Sequence, residues 1–157
     1  MITAVDTNVI LDILIPDSPF GSVSKRLLEA AFQGGRLIIC EAVYAELAAQ
    51  FRNQTALDVF LNDTRIRLVS STSEALNLAG LKWFEYNRRR AQNQRCPACG
   101  CSVEYTCSKC GTRQTTRQHV LADFLIGAHG LLQANKLLTR DRGYYRTYFP
   151  ELDIAGS

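Results

Sequence analysis

Ile2-Thr3-Ala4-Val5-Asp6-Thr7-Asn8-Val9-Ile10-Leu11-Asp12-Ile13-Leu14 opens the chain with a short β-branched run, an acid, and then apolar residues at helical spacing. Ile2–Val5 reads as a buried strand, and Asn8–Leu14 as a helix that Pro16 stops. Strand followed at once by helix is half of a βαβ unit, and the chain repeats the alternation. Ser22–Phe32 carries an apolar stripe at Val23, Leu27, Leu28, Ala31 and Phe32, closed by Gly34 and Gly35. Leu37–Cys40 is a second strand, followed by a helix through Val43, Leu47 and Phe51 and another from Thr55, its cap, to Asn62. Ile66–Val69 is a third strand. Ser71 with Glu74 forms a capping-box signature for a helix through Leu76, Leu78 and Trp83 toward Asn87. Beyond an interruption come an apolar helix over His119–Gln133, a strand over Lys136–Thr139, a short helix over Tyr144–Tyr148 and a strand near Leu152–Ile154. This order predicts an α/β fold, a central parallel sheet covered by helices on both faces.

With 157 residues, 46% apolar and 21% charged, the chain suits one globular domain. A net charge of +3 does not mark a nucleic-acid or membrane binder by itself. The charge is unevenly placed, however. Eight basic residues and two acidic ones lie between Lys82 and Arg117, a local excess of +6 that leaves −3 elsewhere. Five of six cysteines crowd into the same segment, with only Cys40 outside it, in an apolar strand where core packing explains it. Met1–Phe20 has no basic leader, and no apolar run reaches the ~20 residues a bilayer requires. A reducing cytoplasm and no membrane partner are the expectation, and clustered thiols there bind metal more often than they pair.

In an open parallel sheet, ligands bind beyond the carboxyl ends of the strands. Asp6 follows the first strand there, and Asp141 follows Leu137-Leu138-Thr139-Arg140. Asp123 lies in Val120-Leu121-Ala122-Asp123-Phe124-Leu125-Ile126, apolar nearly all round, and Glu46 lies in Val43-Tyr44-Ala45-Glu46-Leu47. Taken singly, Asp6 and Asp141 also read as helix N-caps and Glu46 as part of a solvated face. Taken together, four converging acids would repel one another unless a cation neutralises them. All-oxygen ligands suit Mg²⁺ or Mn²⁺, and such sites chiefly serve phosphoryl chemistry.

The order Val5-Asp6-Thr7-Asn8, Glu46, Leu121-Ala122-Asp123-Phe124-Leu125-Ile126 and Thr139-Arg140-Asp141-Arg142-Gly143-Tyr144-Tyr145 resembles PIN-domain ribonucleases, in particular VapC-type toxins of toxin–antitoxin systems. The resemblance implies a three-layer α/β/α domain formed by residues 1–87 and 118–157. It implies Asp6, Glu46, Asp123 and Asp141 as catalytic, Mg²⁺- or Mn²⁺-binding acids, with Asn8 and Thr139 supporting them. It further implies an endoribonuclease that hydrolyses RNA phosphodiester bonds, forms a homodimer and is silenced by an antitoxin protein.

Residues 88–117 depart from the usual short connection of that family. Cys96-Pro97-Ala98-Cys99-Gly100 and Cys107-Ser108-Lys109-Cys110-Gly111 are two Cys-x-x-Cys-Gly knuckles, the signature of one tetrahedral Zn²⁺ held by Cys96, Cys99, Cys107 and Cys110. Four protein ligands leave no open position, so the ion is structural, and the stretch between the knuckles suffices for a tiny hairpin. Zinc binding, worth about 10–16 kcal/mol in small peptides, can replace the missing core of this zinc ribbon. Four thiolates and the ion reduce the local charge to +4, and Cys101 is a surplus thiol. Arg88, Arg89, Arg90 and Arg95 are candidate RNA-backbone contacts, although a solvated helix end explains them equally well. Tyr144 and Tyr145 suit base stacking or core packing, and His119 suits a substrate contact or a surface cap. Two other functions fit the sequence: a ribosomal-RNA or other RNA-processing PIN nuclease, and a non-catalytic zinc-stabilised RNA-binding module.

Overall fold

A computed structural model describes residues 1–90, 105–106, 108–111, 113–114 and 120–155. In chain order its elements are β1 (Ile2–Val5), α1 (Thr7–Leu14), α2 (Gly21–Gln33), β2 (Arg36–Ile39), α3 (Glu41–Ala48), α4 (Gln54–Asp63) and β3 (Ile66–Leu68). They continue with α5 (Ser73–Arg90), β4 (Tyr105–Thr106), β5 (Arg113–Gln114), α6 (Leu121–Gln133), β6 (Lys136–Leu138), α7 (Arg142–Tyr148) and β7 (Ile154–Ala155). Five strands form one sheet in the order β3-β2-β1-β6-β7, and every pairing in it is parallel.

Consecutive residues Thr3, Ala4 and Val5 of β1, and Leu37, Ile38 and Ile39 of β2, are all buried. Side chains alternate across a strand, so both faces of the sheet are covered, as the β-branched runs predict. Helix α6 lies on β1 and β6 with α5 packed along it, while α1 and α2 pack together and α2 meets β2 and β6. Gly127 permits the close approach of α6 to the C-terminal segment, since a Cβ there would stand 2.4 Å from Cε2 of Phe149. The chain runs from β1 outward to β3, then returns to β6 beside β1. That reversal is the topological switch point, the place where open parallel sheets bind their ligands.

Local boundaries differ from the sequence reading where tertiary partners decide them. Asn53, not Thr55, caps α4, its Oδ1 accepting from the Ala56 N–H at 2.9 Å. Helix α3 stops at Ala48, short of Phe51, whose ring instead packs on Phe60. Ser71 is not the cap of α5. Thr72 Oγ1 accepts from the Ala75 N–H, and Ser71 instead donates through its N–H and Oγ to Glu41 Oε2. Strand β6 ends at Leu138, which frees the Thr139 hydroxyl for the site described below.

The short hairpin in the insertion lies around the second knuckle rather than between the two. Tyr105 pairs with Gln114 and Thr106 with Arg113, antiparallel, and Ser108–Cys110 form the turn. Gly111 follows with φ +70°, a conformation that suits glycine. Cys96, Cys99, Cys101, Cys107, Arg95 and His119 lie outside the described residues. Among those described, no helix is long and apolar enough to cross a membrane.

Candidate active site

Asp6 follows β1 at the switch point and occupies the N-cap position of α1, yet its side chain makes no capping bond to the helix. Its Oδ2 accepts instead from Asn8 Nδ2 at 2.6 Å and from Thr139 Oγ1 at 2.6 Å. Asn8 and Thr139 touch each other at 3.2 Å, and the Arg140 N–H donates to Asn8 Oδ1 at 3.1 Å. The loops that leave β1 and β6 are thereby tied together by neutral donors around one carboxylate.

That carboxylate is 6% exposed. Burial pushes its pKa up to about 6, the Thr139 hydrogen bond acts against the rise, and the nearby charges of Asp123 and Glu46 add to it. Glu46 is half-buried on α3 and accepts from Thr7 Oγ1, so the residue next to Asp6 holds it. Asp123, in the first turn of α6, accepts from the Val120 N–H at 2.8 Å, and this fixes its carboxylate over the helix start.

Asp141 behaves differently. It is exposed, it caps α7 by accepting from the Tyr144 N–H at 3.4 Å, and its own N–H donates to Thr139 Oγ1 at 3.0 Å. Its charge, with those of Asp6 and Asp123, acts on the buried Tyr145 phenol, whose pKa burial already pushes well upward. Asp6 thus feels the charges of Glu46 and Asp123, while Asp141 is exposed at the rim.

Tyr144 and Tyr145 are 6% and 1% exposed, which excludes them as stacking platforms for bases. They belong to an aromatic cluster in which Phe124 meets Tyr86, Tyr144, Tyr148 and Phe149. The Tyr86–Phe124 contact, 5.5 Å between centroids, packs the C-terminal half of α5 against the first turn of α6, which carries Asp123. There Arg88 is exposed and lies over Phe84, and Arg89 reaches Glu85 at 4.0 Å across solvent. Cys40 is buried, as a core residue, and burial pushes its thiol pKa up.

Sequence reasoning missed three participants. Thr7, which holds Glu46, and Asp12, which is 6% exposed and paired with Arg140, were assigned no role from the sequence. His129, 1% exposed, meets Ser71 Oγ at 3.3 Å beside Glu41, and burial lowers its pKa. A polar residue inside the apolar stripe of α1 or α6 was the available signal for the last two.

Among the described residues no three His, Cys, Asp or Glu side chains are grouped as a metal-holding cluster. Mg²⁺ keeps several waters and takes only one or two protein carboxylates. Asp6, pushed toward protonation beside Asp123 and Glu46, is an oxygen donor that a divalent cation would relieve, so the donor set fits such an ion.

The family profile described as the PIN domain matches residues 3–150. VapBC2 from Rickettsia felis, solved with a DNA fragment from its promoter, superposes with TM-score 0.61 at 19% identity, over 98% of this chain and 97% of that one. VapBC-1 from nontypeable Haemophilus influenzae gives 0.60 at 18% identity, over 98% and 96%. VapC20 from Mycobacterium tuberculosis, described as a Sarcin-Ricin loop cleaving toxin, gives 0.53 at 14% identity, over 96% and 98%. At these identities the likeness is one of fold, and no curated protein matches the chain. The profile match spans both halves of the sheet and every acid of the site, and on it the chain belongs to the PIN-domain family.

Proposed function

We propose that this protein is a divalent-metal-dependent endoribonuclease of the VapC type, a toxin held in check by an antitoxin protein. The observation that carries the reading is Asp6, a buried carboxylate at the switch point, held by Asn8 and Thr139 and raised to about pKa 6 in the field of Asp123 and Glu46. Bound Mg²⁺ or Mn²⁺ would supply Lewis-acid stabilisation of charge on the phosphate. Asp6 and Asp123 would hold the ion, Thr7 would keep Glu46 turned toward it, and Asp141 would serve from the rim. Asn8 and Thr139 keep Asp6 in one orientation, as a positioned ligand requires.

The Sarcin-Ricin loop activity given for VapC20 makes a structured RNA hairpin the first substrate to try, beside a mixed RNA pool. Cleavage with Mg²⁺ or Mn²⁺ is expected, with none in EDTA and a loss of about a thousandfold in Asp6→Asn and in Asp123→Asn. Metal-independent cleavage, or cleavage untouched by both substitutions, would sink the assignment. RNA binding without any cleavage would favour the non-catalytic module. A homodimer of this chain and cytoplasmic residence complete the proposal.

For the insertion we propose one structural Zn²⁺ on Cys96, Cys99, Cys107 and Cys110. Support comes from the paired knuckles in the sequence, the β4–β5 hairpin around the second, and the left-handed Gly111 that follows it. Purified protein should contain one equivalent of zinc, and Cys107→Ser should lose it while leaving the sheet folded. Zinc-free native protein would overturn this assignment. Arg88, Arg89, Arg90 and Arg95 are proposed to contribute RNA-backbone contacts, testable by reversing Arg88–Arg90 to Glu and measuring RNA affinity at low salt.

A further inference from the structure

Arg140 stands between Thr139 and Asp141 and spends only part of its guanidinium inside the protein. Its Nε meets Asp12 Oδ2 at 2.6 Å, and its Cζ lies 4.3 Å from the centroid of the Phe20 ring. Asp12 is buried and is itself fixed by Ser24 Oγ at 2.6 Å and Ser18 Oγ at 3.3 Å. The plane and rotation of the guanidinium are therefore set from two sides before any ligand arrives. The side chain is nevertheless 38% exposed, so part of its guanidinium faces solvent while Nε is held by Asp12. One residue along the chain on either side lies a group of the candidate site, and the Arg140 backbone N–H is bonded to Asn8.

A structural ion pair alone would not require a guanidinium, because a single ammonium satisfies Asp12 equally well. What arginine adds is a rigid fork whose solvent-facing edge matches two oxygens of a phosphate. Fixing that fork in advance removes much of the ordering cost of binding. We propose that Arg140 is a phosphate-binding residue, its Nη edge receiving a backbone phosphate of the RNA beside the scissile one. This rests on the nuclease reading above. Asp12 and Phe20 are positioning residues that act through it.

The test measures binding of a short fluorescent single-stranded RNA of mixed sequence to the full-length protein across a salt series. No Mg²⁺ or Mn²⁺ is added, so that the RNA stays intact. Arg140→Gln should weaken binding about tenfold at low salt and reduce the slope of log affinity against log salt by about 0.7, one single-strand phosphate contact. Arg140→Lys should lose nearly as much affinity, because its one ammonium remains occupied by Asp12. The Asp12→Asn/Arg140→Gln double variant leaves no unpaired buried charge and should behave like Arg140→Gln even if the single variant fails to fold. Wild-type affinity and slope in the folded Lys variant or the double variant overturn the phosphate role while leaving the nuclease reading standing. Wild-type protein that neither binds nor cleaves RNA overturns both.

Discussion

Asp6 and Asp12 lie on one continuous segment and are equally buried, each 6% exposed, yet their surroundings are opposite. Asp12 has a guanidinium at 2.6 Å and two serine hydroxyls, a full complement for a buried carboxylate. Asp6 has an amide, a hydroxyl and two other acids nearby, and no cation acts on it among the described residues. A buried charge without a counter-charge costs stability, so the fold carries at Asp6 a penalty that it avoids at Asp12. Such a penalty persists where something outside the chain is to complete the site.

The largest expected effect breaks the compensated partner. Asp12→Ala strands Arg140 and leaves the Ser24 hydroxyl, which is 0% exposed, without its acceptor. Because Arg140 is 38% exposed, water recovers part of its charge, and the loss should be about 2–4 kcal/mol. Thermal unfolding should show a midpoint lower by roughly 5–15 °C. An unchanged midpoint would mean that the Asp12 network does not hold the loops.

Asp6→Asn should do the reverse, stabilising the metal-free protein while abolishing cleavage. Folded Asp6 keeps its proton up to about pH 6, whereas the unfolded chain releases it near 3.8. Between those values the folded state binds more protons, so stability is greatest below the lower one and falls as pH rises through the upper one. By pH 8 the deficit is about 3 kcal/mol, which the Asn variant recovers and which shrinks toward zero at pH 4. Mg²⁺ or Mn²⁺ should raise the wild-type midpoint at pH 8 and leave that of Asp6→Asn unmoved. A wild-type stability flat from pH 4 to 8 would contradict this account.

Part of this contrast is legible in the sequence. The run Ile2–Val5 announces a strand, and an acid directly after it in an alternating chain falls at the crevice by topology alone. Asp123 was legible as an acid in a helix that is apolar nearly all round, whereas Asn8 and Thr139 entered only through the resemblance to PIN-domain ribonucleases. The Asp12–Arg140 pair was not legible, because an acid inside an apolar helix signals burial but does not name its partner, and that partner arrives from a distant loop. Ser71 shows the same limit at smaller scale. Ser71, Thr72 and Ser73 can all cap a helix, and the choice is made by Glu41 drawing Ser71 away. Tyr144 and Tyr145 were ambiguous as sequence because an aromatic pair suits a core or a base equally well, and only the cluster around Phe124 decides it.

Thr139→Val gives the smallest and sharpest effect on the comparison, because it removes one hydroxyl, with its bonds to Asp6, Asp141 and Asn8, and changes no charge. The Thr139 hydroxyl donates to Asp6 Oδ2 and accepts from the Asp141 N–H, and among the influences on Asp6 its hydrogen bond is the largest that opposes burial. A hydrogen bond of this kind is worth about 1–2 kcal/mol, or roughly one pKa unit. Valine keeps the volume, so the sheet should remain intact while the Asp6 titration moves up from about 6. The fall in metal-free stability with pH should therefore be displaced upward by up to about one unit, and cleavage at fixed pH 7 should drop about twofold as less of the carboxylate is ionised. A displacement toward lower pH would show that Thr139 raises rather than lowers the Asp6 pKa, and would reverse the part assigned to the neutral donors around that acid.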